Sequence, residues 1–161
     1  MKPLPTFAVL ALALLAPARA AEEGHPPHTP TGTETYASGL GEIMSLQQMR
    51  HLKLWFAGTA RNWPLADYEL DELKEGFDDV IKFFPVKEDM QIGQMAGATV
   101  MPVLPEVKSA IEARDGTKFA AAFDKLTAAC NACHQASNHA FIVIQRPTTS
   151  PYSNQSFAPK K

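Results

Sequence analysis

Residues 130 to 134 read Cys130-Asn131-Ala132-Cys133-His134, and these two cysteines are the only ones in a chain of 161 residues. Residues three apart lie on one face of a helix, so a helical segment presents both thiols in the same direction. That is the spacing by which a haem is attached through two thioethers, with the next residue as the axial histidine. The motif therefore predicts one covalent haem c, with Cys130 and Cys133 holding the ring and His134 as proximal iron ligand. A thiol redox pair and a zinc site are the rivals. The first belongs near a βαβ pattern, and none is legible here. The second needs two further ligands at finger-like spacing, which the sequence does not offer.

The N-terminus bears on the redox compartment. Lys2, the apolar run from Phe7 to Ala16 and the small-x-small triplet Ala18-Arg19-Ala20 form the pattern of a secretory signal, with a core too short for a stable span. Residues 1–20 are read as a signal cut after Ala20, which makes the protein periplasmic with no stable membrane span after cleavage; the alternative is an uncleaved anchor. Cleavage removes Lys2 and Arg19 but no acid, so the formal charge of −2 becomes more negative by two. No basic patch interleaved with aromatics is present, which argues against nucleic acid as a partner.

Residues 21–37 are polar and rich in Pro, Gly and Thr, as expected of a flexible linker. A haem domain is expected over 38–140 and an extended C-terminal tail over 141–161. Within the domain, 38–61 lacks proline and predicts a first helix, with Met44, Met49, Leu52, Trp55 and Phe56 on a broad apolar side and His51 at its margin. Asn62 and Pro64 fit the start of a second helix, 64–84. Its stripe Ala66, Leu70, Leu73, Phe77 and Val80 recurs at steps of three and four, and Asp67, Glu69, Asp71, Glu72, Glu75, Asp78 and Asp79 occupy the other face. A third helix is expected over about 95–113, its first half made uncertain by Pro102 and Pro105. A fourth, 117–138, starts with Thr117 as cap and carries Phe119, Phe123, Leu126, Cys130 and Cys133 on one stripe. The fold class is thus all-α, an antiparallel four-helix bundle holding haem near the C-terminal end of its last helix. His139 is expected to be exposed, and the segment from Pro147, with Pro151 and Pro159, to be non-helical.

An exported four-helix domain with Leu126-Thr127-Ala128-Ala129-Cys130-Asn131-Ala132-Cys133-His134 late in its last helix resembles the class II c-type cytochromes, the cytochrome c-prime group and its low-spin relatives. The stretch Arg50-His51-Leu52-Lys53-Leu54-Trp55-Phe56-Ala57-Gly58 also resembles bacterial C-x-x-C-H proteins of similar length. Class II proteins usually end soon after the motif, whereas this chain runs on to Lys161. The resemblance implies a distal residue from the first half to middle of helix 1. Met49 is the preferred candidate for that position and His51 its competitor, with Met44 or an open site after them. Arg50, Lys53 and Arg61 are the expected partners of the haem propionates.

The expected function is that of a periplasmic single-electron-transfer haem protein, not an enzyme, that meets a redox protein partner. A homodimer is one admissible assembly. The acidic face of the second helix suits a basic partner. The alternatives are a five-coordinate protein that binds or senses NO or CO, and a small haem peroxidase or NO scavenger.

Overall fold

The computed structural model describes residues 38–160. The expected signal 1–20 and the linker 21–37 lie outside the described residues. The elements are α1 (Leu40–Thr59), α2 (Trp63–Phe83), α3 (Ile92–Thr99), α4 (Leu104–Glu112) and α5 (Gly116–Ala136), with one 3-10 turn at Met101–Val103. α1 packs on α2, α2 on α3 and α4, both of these on or beside α5, and α5 back on α1. With α3 and α4 counted as one broken arm, the fold is a helical bundle of four arms, and no strand forms among the described residues. No helix among them is long and apolar enough to cross a membrane.

The breaks follow local chemistry. Pro102 and Pro105 each lack the amide that a continuous third helix would require. The structure resolves this by a 3-10 turn and by placing both prolines in first turns, where no donor is needed. At the end of α1, Arg61 turns left-handed (φ 58) and the Asn62 amide reaches the Ala57 carbonyl at 2.9 Å. α5 is capped by Asp115 rather than by the expected Thr117, its carboxylate accepting from the Thr117 and Lys118 amides at 3.0 Å each. The Lys118 amide, first among these influences, holds that carboxyl below its ordinary range.

The stripe on α2 is buried as its periodicity implies, but Glu69, expected on the polar face, is buried as well. It faces α1 near Lys53 and Arg50, and desolvation raises its carboxyl above the ordinary range. On α1 the buried positions are Ile43, Gln47, His51, Leu54, Ala57 and Gly58, a face rotated from the expected one. Two of its core positions are polar and satisfied. Gln47 donates to the Leu73 carbonyl at 2.6 Å and accepts from Arg50 at 2.9 Å, while His51 bonds Thr127 at 2.9 Å.

The contact between α1 and α5 is built from rings. Trp55 lies 4.9 Å from Phe123, and His51 4.3 Å from Phe123 between centroids. Gly58 sits directly against the Phe119 ring, where an added Cβ would overlap ring atoms. Phe119 and Phe123 are fully buried, so neither can give way cheaply. Gly58→Ala is expected to destabilise the protein by about 2 kcal/mol through overpacking, read as a lowered urea midpoint in circular dichroism.

Candidate functional site

A cavity of about 410 Å³ opens between α1, α2, α3 and the end of α5, within the range of about 300–1,000 Å³ usual for cofactor sites. Leu73, Phe77, Val80, Ile92, Ala96 and Val100 supply much of an apolar wall. Cys130, Cys133 and His134 enter from α5, and Met44 and His51 from α1. Met90 also lines it. The tight turn Lys87–Met90, closed by reciprocal 3.0 Å backbone bonds with Glu88 and Asp89 left-handed, brings it there.

The register of α1 against α5 decides which residues can face His134. His51 meets Thr127 and Phe123, Trp55 meets Phe123 and Phe119, and Gly58 meets Phe119, so the two helices run antiparallel. Two turns back along α1 from His51 is Met44, and two turns forward along α5 from Thr127 is His134. Both line the cavity. Met49, the preferred candidate from the sequence, is half-buried and does not line it. His51 does, but the Thr127 hydroxyl donates to the Phe123 carbonyl (2.9 Å) and therefore accepts from His51 Nε2–H. The ring is thus pinned two turns from His134.

Arg50 and Lys53 do not line the cavity either. Arg50 is drawn into the α1–α2 contact by Glu72 (3.0 Å) and Gln47, and the Lys53 ammonium lies 5.2 Å from the centre of the Tyr152 ring. Arg61 is exposed at the far end of α1. The long basic side chain in the cavity wall is Lys87.

His134 is positioned by the chain that follows it. Asn138, left-handed at φ 60, ends α5, and the His139 amide reaches the His134 carbonyl at 2.7 Å. The Ile142 amide then bonds the His139 carbonyl at 2.8 Å, which carries residue 142 back over the motif. There the Ile142 carbonyl meets His134 Nδ1 at 2.9 Å. A carbonyl only accepts, so Nδ1 carries the hydrogen and, in the neutral ring, the Nε2 lone pair is left for a ligand bond. His139, expected to be exposed, is half-buried, lines the cavity and bonds the Ser137 carbonyl through Nδ1 at 2.6 Å. Neither Ile142 nor His139 carries a signal in the sequence beyond the helix-stopping Asn138.

Both cysteines are free thiols. Burial pushes the Cys130 thiol up to about 12, and desolvation raises that of Cys133. Thiols held protonated are weak nucleophiles. Among the described residues no group of three or more His, Cys, Asp or Glu is arranged to hold a bare metal ion. Two thiols on the wall of an apolar cavity, beside an imidazole with its Nε2 unbonded, fit a haem held through both sulfurs. No family model, curated protein or solved structure matches the chain.

Burial lowers His51 to about 4 from an ordinary 6.5, so its ring is neutral in the fold. The unfolded chain binds the proton first as pH falls. This contribution to stability is therefore complete above pH 6.5 and lost progressively down to about 4, an effect of about 3 kcal/mol. His51→Gln retains a donor for Thr127 but does not titrate. Urea midpoints are expected to fall less steeply between pH 6.5 and 4 in this variant than in the parent.

Proposed function

We propose that this protein is a c-type haem protein of the periplasm that carries single electrons. The observation that carries the reading is the convergence of Cys130, Cys133, His134 and Met44 on one apolar cavity. Cys130 and Cys133 would form the thioethers, His134 the proximal bond through Nε2, and Met44 the distal bond. Haem bound in this way supplies a one-electron couple, whose potential a thioether ligand raises relative to a second histidine. The chain's own part is to hold these ligands still and keep water away. Met44 stands on a helix whose register is fixed by buried rings, His134 is oriented by a backbone carbonyl, and much of the cavity wall is apolar.

Periplasmic function belongs to the same reading and rests on the leader pattern at 1–20. The partner we infer is a redox protein. Exposed Asp71, Glu75, Asp78 and Asp79 on α2 would favour a basic surface on it.

Absorption spectra of the oxidised and reduced protein test the proposal. The parent is expected to be low-spin and to resist carbon monoxide when reduced, whereas Met44→Ala becomes high-spin and binds it stoichiometrically. Rapid carbon monoxide binding by the parent would instead support the five-coordinate gas-binding alternative. Cys130→Ala and Cys133→Ala are each expected to impair covalent attachment. A haem stain that survives denaturing electrophoresis at parental intensity in both would contradict the site.

A further inference from the structure

The segment after α5 is tied to the motif at more than one point. Asn131, inside the motif, uses both ends of its amide on one residue of the returning chain. Its Nδ2 donates to the Ile144 carbonyl at 2.8 Å, and its Oδ1 accepts from the Ile144 amide at 2.7 Å. Both bonds are partly buried. Two residues on, Arg146 forks onto Asp124 at 3.1 and 2.5 Å and lies 4.5 Å from the centre of the Trp55 ring. Between the end of α5 and these anchors the chain passes through turns at 137–138 and 140–141 and then runs without regular structure. Ile142 and Ile144 line the cavity, while Phe141 and Val143 face outward.

A segment needed only to cover apolar surface would be served by Ile142 and Ile144 as side chains. Here the anchors fix the backbone, and the backbone atom they leave on His134 is the Ile142 carbonyl. An acceptor on the far nitrogen of a ligating imidazole increases its basicity and fixes its ring orientation. Greater donor strength favours the ferric state and lowers the potential.

We propose that residues 142–146 are a strap that sets the electron donation of His134, with the Ile142 carbonyl as acceptor and Asn131 as the positioning residue that holds it there. This rests on the haem reading given above. It also gives a task to the stretch by which the chain outruns the class II pattern.

The test uses the full-length holoprotein and its Asn131→Ala variant, with three readouts: covalent haem on a denaturing gel, the reduction potential, and hydrogen exchange at the Ile144 amide. The variant is expected to keep its haem and helical circular dichroism, to exchange the Ile144 amide faster, and to show a higher potential. A rise of about 59 mV corresponds to a tenfold shift of a one-electron equilibrium. Faster exchange with an unchanged or lower potential would overturn the strap while leaving the haem reading intact. A parent chain without covalent haem would remove both.

If Asn131→Ala gives no folded holoprotein, Arg146→Ala decides. Loss of a positive charge by itself lowers the potential, whereas release of the strap raises it, so an upward shift supports the proposal and an unchanged or lowered value refutes it.

Discussion

The packing of α1 on α5 through Phe119 and Phe123 is the constraint on which the site depends. These two rings are fully buried and are met from α1 by His51, Trp55 and the bare backbone of Gly58. Because interiors are packed to the density of organic crystals, a stagger of one turn between the helices would drive a side chain into the space that Gly58 leaves open. The rings therefore fix a register at one end of the helix pair, and rigid helical geometry transmits it to the other. Met44 is level with His134 because of contacts made two turns and more away. The pairing of His51 with Thr127 adds a polar check on the same register, since a slip would leave a buried imidazole without its acceptor, at a cost of about 1–3 kcal/mol.

The legibility of this arrangement in the sequence tracked how apolar each buried face is. α2 has an almost unbroken stripe of Ala66, Leu70, Leu73, Phe77 and Val80, and its burial follows the spacing. α5 carries Phe119, Phe123 and Leu126 in the same way, which put the motif on the inner face. α1 misled because two of its core positions are Gln47 and His51. Any reading by hydropathy turns such a helix toward its half-buried Leu52 and Phe56, and with them toward Met49. The polar pair is tolerated because each member is bonded across to a neighbouring helix, something only the folded partners reveal. Arg50 escaped for a related reason: it looks free along one helix, but Glu72 lies opposite it on another.

The C-terminal segment marks a different limit. Its prolines made the absence of helix legible, but its docking is carried by backbone groups and by single side chains such as Asn131, which have no periodic signature. Asn131 occupies a position between the cysteines that the spacing rule leaves unspecified. Its identity therefore carries no weight in recognising the motif, yet it makes two hydrogen bonds to Ile144. Asn138 is the comparable case at the helix end, where tolerance of a left-handed backbone turns the chain toward the cavity.

On the haem reading, the two axial positions would be held by separate means. The distal residue depends on the register of α1, a property of the core, so it changes only when the bundle itself shifts. The proximal residue depends on hydrogen bonds from a segment outside the helices, half-exposed and anchored by one amide side chain and one ion pair. Exposed ion pairs are weak, typically about 0–1 kcal/mol, so of the two anchors the Asn131 pair is the stronger hold on the Ile142 carbonyl. A bundle of this kind can thus keep its distal ligand constant while the donor strength of the proximal one is adjusted by residues that leave the core untouched. This separation follows from placing the motif at the end of α5, where the last turn has one flank packed in the bundle and the other free to receive the returning chain.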